Sequence, residues 1–203
     1  MKLKICGMLI SENIIKASKL NPDYLGFIFW KKSPRYFNKK IPLINKRINL
    51  TGIFVNESLN EIKKQIHNHK LSVIQLHGNE SPSFCEKIKT LGIKCIKSFS
   101  IDKDFNFSRL KNYEDVCDYF LFDTKGKLPG GNSYKFDWKL LEKYTFLKPF
   151  ILSGGIGLKD ISEIKKIIKS DLPIHAIDVN SKFEISPGNK NIELLKKFKL
   201  KLF

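Results

Sequence analysis

The sequence has few of the features that mark membrane proteins, disulfide-rich proteins or zinc proteins. Nowhere in its 203 residues does an apolar run approach the roughly 18 residues that a membrane-spanning helix needs. It has four cysteines, with no CxxC pair and no cysteine–histidine spacing suited to zinc. The amino-terminal segment MKLKICGMLISEN lacks the long apolar stretch and the small-residue cleavage site of a secretory signal. We therefore expect a cytoplasmic protein with reduced thiols, no metal site and no membrane partner.

Arginine is also scarce, although the chain is strongly basic. Its 37 basic residues give a formal net charge of +17, yet only Arg35, Arg47 and Arg109 are arginines. Arginine makes most bidentate contacts in nucleic-acid recognition, and the lysines here are spread along the whole chain. We therefore expect no nucleic-acid partner. A diffuse positive field favours instead the capture of a small, anionic, phosphorylated substrate.

The composition that remains is typical of a globular protein. Hydrophobic residues make up 42% of the sequence and charged residues 28%, which excludes a disordered or fibrous chain. The length suits one domain with one core, so we expect residues 1–203 to form a single domain. We also expect a monomer.

Eight short apolar segments alternate with longer amphipathic ones. The short segments are rich in β-branched or aromatic residues and mostly apolar throughout, which is typical of strands buried on both faces. Strands are predicted at Leu3–Cys6, Tyr24–Phe29, Leu50–Val55, Ser72–Leu76, Lys94–Ser98, Tyr119–Asp123, Phe150–Ser153 and Ile174–Val179.

The segments between these strands carry apolar residues at helical spacings of three and four. Helices are predicted at Ser11–Leu20, Asn56–His67, Ser81–Leu91, Phe136–Tyr144, Leu158–Lys169 and Asn189–Leu200, and more weakly at 37–48 and 101–117. Such alternation indicates a parallel sheet with helices outside it. A repeat of about 25 residues is compatible with an α/β fold of the (β/α)8 barrel type. An open doubly wound sheet is the alternative, and the count of eight favours closure.

In a (β/α)8 barrel, the active site lies at the carboxyl ends of the strands. Polar or reactive residues follow several predicted strands: Cys6, Arg35, Gln75, His77, Asp123, Asp178, Asn180 and Ser181. A glycine-rich turn that includes Gly154 and Gly155 follows the seventh strand and precedes a helix. The loops after strands seven and eight frequently bind phosphate in this fold. The sequence has neither a GxGxxG motif nor a Walker lysine motif, so a dinucleotide or triphosphate site is not predicted.

An ordered set of motifs carries a resemblance to a known family. The motifs are Lys4–Gly7, Ser33–Tyr36, Gln75–Gly78, Phe122–Thr124, Gly130–Gly131, Phe136–Trp138, Leu152–Gly155 and Asp178–Ser181. In this order they resemble phosphoribosylanthranilate isomerase, a (β/α)8-barrel family of tryptophan biosynthesis. The resemblance implies an Amadori rearrangement of N-(5-phosphoribosyl)anthranilate, an aminoaldose, to the aminoketose 1-(2-carboxyphenylamino)-1-deoxyribulose 5-phosphate. This chemistry requires no cofactor.

The resemblance also implies roles for individual residues. Cys6 would be the general base and Asp123 the general acid, while Arg35 would bind the anthranilate carboxylate. The other residues implied at the substrate are Gln75, His77 and Asp178, with Gly154, Gly155, Asn180 and Ser181 at its phosphate. For this chemistry the pKa of Cys6 must be lowered and that of Asp123 raised. Lys4 lies two residues before Cys6 on the same strand face and is the candidate that lowers the thiol pKa.

The chain departs from the family pattern in three places. Lys182 stands where the family usually has glycine, and it would place a cation near the phosphate. Asn191 stands where an acid is common, and Asn132–Ser133 replaces a Thr/Ser–Gly pair. The alternatives are a histidine-pathway aminoaldose isomerase, a pentose-phosphate epimerase and a basic nucleic-acid-binding module. The first has Asp in place of Cys6, the second needs histidine metal ligands, and the third needs clustered arginines.

Overall fold

Eight parallel strands close into a barrel. A computed structural model describes residues 1–124, 126 and 135–203. The strands pair in chain order, and the first pairs with the eighth. They are β1 Lys2–Ile5, β2 Tyr24–Ile28, β3 Asn49–Phe54, β4 Val73–Leu76, β5 Lys94–Ile101, β6 Tyr119–Thr124, β7 Phe150–Leu152 and β8 Ile174–Val179. The predicted (β/α)8 barrel is thus confirmed, and the open sheet is excluded.

Among the described residues, five α-helices pack around the barrel. They are α1 Ser11–Ser18, α2 Leu59–His69, α3 Pro82–Lys89, α4 Ile161–Ile168 and α5 Ile192–Leu202. Short 3₁₀ helices form at Phe107–Tyr113, Trp138–Lys143, Leu158–Asp160 and Ser181–Phe183. A small antiparallel pair, β9 Glu184–Ser186 and β10 Asn189–Lys190, follows the last of them. In the described part of the chain, no helix is long and apolar enough to cross a membrane.

Side-chain caps fix where three helices begin. The hydroxyl of Ser58 accepts the N–H of Glu61 at 3.2 Å, and Ser81 caps α3 in the same way. The amide oxygen of Asn191 accepts the N–H of Leu194 at 3.0 Å. Such caps satisfy otherwise unpaired donors of the first turn. The predicted starts at Asn56 and Asn189 were therefore too early, since each helix begins only after its capping residue.

Three other helix predictions were wrong in kind or extent. Segment 37–48 forms no helix, because Pro42 lacks an N–H donor and Asn45 turns the chain by accepting the N–H of Arg47. Within 101–117 and Phe136–Tyr144 only the short 3₁₀ helices form. The motif residues Gly130–Gly131 and Asn132–Ser133 lie outside the described residues.

The core consists of two separate apolar groups, one inside the barrel and one around it. Inside, Tyr24, Val73, Ile96, Leu121, Ile151 and Ala176 are buried and in contact. Outside, a larger group fills the space between strands and helices, and aromatic rings pack in it edge to face. For example, the ring centroids of Phe122 and Tyr144 are 5.3 Å apart. All four cysteines are buried and free, as expected for reduced thiols.

An aromatic stack that contains His175 lies near the amino-terminal end of the barrel. The rings of Tyr119 and His175 stack at 4.0 Å, and the Tyr24 hydroxyl lies 2.7 Å from His175 Nε2. Burial, together with the nearby ammonium groups of Lys2 and Lys94, lowers the pKa of His175 to about 4. The folded protein therefore holds this imidazole neutral at pH values where the unfolded chain protonates it.

This difference in the pKa of His175 predicts that the free energy of unfolding falls as the pH is lowered. Because the ordinary pKa is 6.5 and the folded pKa is about 4, the unfolded state gains a proton first as the pH falls. Protonation then favours unfolding, so this contribution to stability is lost progressively between those two values. We expect His175→Gln to lose less stability than the wild type when urea unfolding is compared at pH 7 and pH 5. Equal losses in the two proteins would contradict the assignment.

Candidate active site

A cavity of about 240 Å³ opens at the carboxyl ends of the barrel strands. Every predicted site residue except Lys182 lines it: Cys6, Arg35, Gln75, His77, Asp123, Gly154, Gly155, Asp178, Asn180 and Ser181. These residues come from distant parts of the sequence. The closed barrel brings them together because each follows or ends a strand whose carboxyl end faces the same side.

Lys4 lies on β1, and Cys6 directly follows that strand and lines the cavity. Lys4 is fully buried, and its Nζ donates to Asp178 Oδ2 at 3.0 Å across the β1–β8 pairing. Burial disfavours the charged form of Lys4, but Asp178 and Cys6 outweigh it and raise the pKa of the ammonium. Lys4 therefore remains a cation beside the thiol.

The pKa of Cys6 differs from the sequence expectation. Burial raises the pKa of the thiol above its ordinary value, and the carboxylate of Asp178 adds to the rise. Lys4 and Lys190 act in the opposite direction, so Lys4 does perturb the thiol in the expected sense. In the free protein the cost of burying a thiolate is larger than that favourable effect.

Asp178 lines the cavity and has one carboxylate oxygen without a partner among the described residues. Its Oδ2 accepts from Lys4 and, at 3.3 Å, from the hydroxyl of Ser153. Its Oδ1 is buried and has no hydrogen-bond partner among the residues that the structure describes. Burial raises the pKa of Asp178, while Lys4 opposes that rise. A buried oxygen without a partner is costly, so Oδ1 is suited to accept a hydrogen bond from a bound hydroxyl group.

Asp123, at the end of β6, lies next to His77, which follows β4. Its Oδ1 accepts the N–H of Thr124 at 2.8 Å, and its Oδ2 lies 3.4 Å from His77 Nε2. The side-chain amide of Gln75 donates to His77 Nδ1 at 2.7 Å in the assigned orientation. That contact leaves the ring proton on Nε2, which is buried and makes no hydrogen bond to the described residues. Gln75 and His77 therefore act as a connected pair that orients polar groups around the Asp123 carboxyl.

Arg35 is held rigidly at the rim of the cavity. Its Nε lies 2.9 and 3.0 Å from the two carboxylate oxygens of Glu184, and its Nη2 lies 2.6 Å from Oε2. Gly7 leaves the room for this arrangement, since a Cβ there would lie 2.7 Å from Arg35 Cδ and from Asn180 Oδ1. One edge of the guanidinium is thus occupied by Glu184. Nη1 makes no hydrogen bond to the described residues and is available to a ligand.

The glycine-rich turn after β7 is tightly constrained. Gly154 has φ +92°, and a Cβ there would lie 2.3 Å from Thr124 Oγ1 and 2.7 Å from Thr124 N. Gly155 also has a positive φ of 61°. The following N–H, of Gly157, donates to Asp160 Oδ2 at 2.8 Å and leads the chain into α4. Both glycines are required by the backbone, which lets the main chain approach the cavity closely.

Lys182 does not line the cavity. It lies on the short 3₁₀ helix Ser181–Phe183, beside Asn180 and Ser181, which do. Its Cβ would lie 3.6 Å from a Cβ built at Gly157, so its stem packs beside the glycine-rich turn. The side chain is exposed. The long, flexible stem would have to extend toward the cavity to reach a ligand there.

Comparison with known proteins identifies the family. The family model described as N-(5'-phosphoribosyl)anthranilate isomerase matches residues 3–200. The enzyme of that name from Parabacteroides distasonis is 36% identical over 207 residues, covering 98% of this chain and 91% of that protein. The chain belongs to the phosphoribosylanthranilate isomerase family. The resemblance stated from the motifs is confirmed, and the protein is an isomerase.

Solved structures of the family share the fold. The phosphoribosyl anthranilate isomerase of Thermotoga maritima is 29% identical and superimposes with a TM-score of 0.86, covering 100% of this chain and 98% of that one. A second structure, at 27% identity, a TM-score of 0.82 and the same coverage, is in complex with reduced 1-(o-carboxyphenylamino)-1-deoxyribulose 5-phosphate. Isomerases of this family therefore include one solved with a phosphorylated, carboxylated ligand.

Sequence reasoning missed two charged residues of this isomerase's site, Glu184 and Lys190. Glu184 binds Arg35, and Lys190 is fully buried with its Nζ 2.7 Å from both Glu184 Oε1 and Asn180 Oδ1. Lys190 lies in the Pro187–Lys190 segment, which fits the family pattern. The opposite charges of Glu184 and Lys190, six residues apart, could have indicated an ion pair. The sequence does not show that both are buried or that Arg35 and Asn180 are their other partners.

The constrained turn predicts that Gly154→Ala damages this isomerase. A side chain at φ +92° and within 2.3 Å of Thr124 Oγ1 must displace the turn, at a cost of about 1–3 kcal/mol for the backbone alone. We expect a lower melting temperature and a higher KM for the phosphorylated substrate. Gly157→Ala is the matched control, since its φ is −141° and its Cβ would meet nothing closer than 3.6 Å. Similar behaviour of the two variants would show that the geometry of Gly154 is unimportant.

Proposed function

We propose that this isomerase converts N-(5-phosphoribosyl)anthranilate to 1-(2-carboxyphenylamino)-1-deoxyribulose 5-phosphate, with Cys6 as base and Asp123 as acid. The observation that supports it most strongly is that one cavity is lined by a thiol, a carboxyl group, an arginine and a glycine-rich turn. This set matches a substrate that has a sugar in the middle, a carboxylate at one end and a phosphate at the other.

The first step is opening of the furanose ring. Asp123, protonated at Oδ2, gives its proton to the ring oxygen while the C1–O bond breaks, and C1 becomes a Schiff base with the anthranilate nitrogen. Asp123 is 6% exposed, and Thr124 and His77 fix its orientation from two sides. His77 Nε2–H can stabilise the carboxylate that is left after the proton has moved.

The second step is removal of the C2 proton. The Cys6 thiolate takes this proton, the electron pair forms the C1–C2 double bond, and the Schiff-base nitrogen is neutralised to give an enolamine. Tautomerisation then places a proton on C1 and removes one from the C2 hydroxyl, giving the ketone. Lys4 and Lys190 favour the thiolate electrostatically against the cost of burial. The positively charged Schiff base would add to their effect once substrate is bound.

The remaining cavity residues hold the substrate in place. Asp178 Oδ1, which lacks a partner within the described chain, accepts a sugar hydroxyl, and the unpaired Oε1 of Gln75 is placed for another. His77 completes this polar wall. Because these atoms are buried and unsatisfied in the free protein, hydroxyl groups of the substrate would satisfy them.

The two charged ends of the substrate have separate sites. Arg35 binds the anthranilate carboxylate through Nη1 and the free side of Nη2, while Glu184 keeps the guanidinium plane fixed. The phosphate lies against Gly154, Gly155, Asn180 and Ser181, where a short helical segment begins after each loop. Lys182, which stands where relatives usually have glycine, extends toward the same anion from outside.

We further propose that the chain works as a single-domain monomer in the cytoplasm. One closed barrel extends from β1 to β8, and α1 and α5 pack beside each other on it. The cavity needs no residue from a second copy, and a formal net charge of +17 opposes self-association. The four unpaired cysteines fit a reducing compartment.

The acid–base scheme predicts large losses of turnover in Cys6→Ala and Asp123→Asn. Each variant removes one proton-transfer group, so kcat should fall by about 10²- to 10⁴-fold. The measurement is the decay of substrate fluorescence with freshly prepared phosphoribosylanthranilate. Cys85→Ala, at a cysteine buried against the outside of the barrel, is the control and should keep wild-type turnover. Wild-type kcat in Cys6→Ala would remove the thiol from the mechanism.

The carboxylate assignment predicts a binding defect in Arg35→Ala. Loss of a charge-assisted hydrogen bond of about 1.5–3 kcal/mol corresponds to a KM roughly ten- to a hundredfold higher, with a smaller change in kcat. Arg47→Ala is the control, because Arg47 is an exposed arginine that does not line the cavity. An unchanged KM in Arg35→Ala would place the substrate carboxylate elsewhere.

A further inference from the structure

The buried ammonium of Lys190 lies next to the site without facing the substrate cavity. Its side chain is 0% exposed, and its Nζ donates to Asn180 Oδ1 and Glu184 Oε1, both at 2.7 Å. Asn13 fixes its main chain from both sides, since Lys190 N donates to Asn13 Oδ1 and Asn13 Nδ2 donates to Lys190 O. A cation buried this deeply is costly, and its position is held firmly.

One atom, Asn180 Oδ1, connects Lys190 to the segment that follows β1. Asn180 Oδ1, which accepts from Lys190, also lies 2.7 Å from the place where a Cβ of Gly7 would stand. Gly7 follows Cys6 directly, and the N–H of Cys6 donates to Val179 O, next to Asn180, at 2.9 Å. The ammonium of Lys190 therefore contacts a residue, Asn180, that lines the same cavity as Cys6.

Several charged groups from different elements line the cavity of the thiol or contact residues that line it. Lys4 comes from β1, Asp178 from β8, Lys190 from β10, Glu184 from β9, Arg35 from the loop after β2, and Asp123 from β6. Lys4 and Asp178 form a pair with no net charge. Arg35, Glu184 and Lys190 form a triad with two cations and one carboxylate. The triad therefore carries one excess positive charge next to Asn180, whereas the Asp123 carboxyl lies beside His77.

We propose that Lys190 is a positioning residue that stabilises the Cys6 thiolate through this excess charge. It also holds Asn180 and Glu184, and through Glu184 it fixes Arg35. The proposal rests on the proposed function, in which Cys6 is the base. The physical reason is that a cation close to a poorly solvated thiolate lowers the free energy of the charged form.

The titration behaviour of the two groups agrees with this arrangement. Burial raises the pKa of Cys6, and Lys190 is one of the two cations that oppose the rise. Burial lowers the pKa of Lys190, while Glu184 and Cys6 oppose that change. Each group thus favours the charged form of the other. Removal of the ammonium must raise the pKa of the thiol.

The test compares Lys190→Gln with Lys190→Arg. Gln keeps a hydrogen-bond donor for Asn180 but removes the charge, whereas Arg keeps the charge. The pH dependence of iodoacetamide alkylation at Cys6, followed by peptide mass spectrometry without substrate, should show a midpoint about one pH unit higher in Lys190→Gln. The rise of kcat/KM with pH should move in the same direction. Lys190→Arg should stay close to the wild type in both measurements.

Lys97→Met is the matched control for the loss of a buried cation. Lys97 lies on β5, four strands around the barrel from β1, and is ion-paired with Glu80. Its replacement should leave the alkylation midpoint of Cys6 unchanged. Lys190→Met repeats the test without a hydrogen-bond donor. An unchanged midpoint in a neutral variant with wild-type circular dichroism overturns the proposal. Failure of both neutral variants to fold also overturns it, since the role of Lys190 would then be structural.

The alkylation measurement separates this proposal from the assignment of the reaction. It reports on the thiol in the free protein, so it gives an answer even if the protein fails to turn over phosphoribosylanthranilate. A shifted midpoint together with no turnover in the wild type would support the electrostatic role and contradict the proposed function. An unshifted midpoint together with normal wild-type turnover would contradict the electrostatic role of Lys190 and support the proposed function.

Discussion

The buried ion pair of Lys4 and Asp178 is the interaction on which the site depends. The two residues face each other where β1 pairs with β8, which is the seam that closes the barrel. Removing one partner of such a pair typically costs about 3–5 kcal/mol, because an uncompensated charge is left in the interior. The same contact fixes Asp178, whose second oxygen has no partner among the described residues, and it places an ammonium beside Cys6. Closure of the fold and arrangement of the chemistry thus share one contact.

The other buried charges follow the same rule of local compensation. Lys97 pairs with Glu80, while Arg35 and Lys190 share Glu184. The strongly basic composition therefore describes mainly the solvent-exposed lysines rather than the interior. Near the cavity the Arg35–Glu184–Lys190 triad carries an excess positive charge, on the side where the substrate carboxylate is proposed to bind. A local excess of positive charge at that place serves both an anionic ligand and a thiolate.

The sequence predicted the barrel well because strands buried on both faces are continuous apolar runs, and all eight were found within a few residues. The cavity residues were predictable for a related reason, since a barrel gathers the ends of its strands on one side. Segment 37–48 and the 3₁₀ helices were not, because turn chemistry at Pro42 and Asn45 and tertiary packing override a weak helical pattern. Glu184 and the raised pKa of Cys6 depend on burial and on partners far along the chain. No local pattern contains that information.

The close approach of Gly7, Arg35 and Asn180 has a consequence for how a ligand is received. Arg35 Cδ and Asn180 Oδ1 would each lie 2.7 Å from a Cβ at Gly7, and Glu184 and Lys190 connect the two residues from behind. Arg35 and Asn180 are therefore linked to each other through Glu184 and Lys190 before any ligand binds. A ligand that contacts both residues would meet side chains that are already held in place, so the protein would lose little conformational entropy on binding.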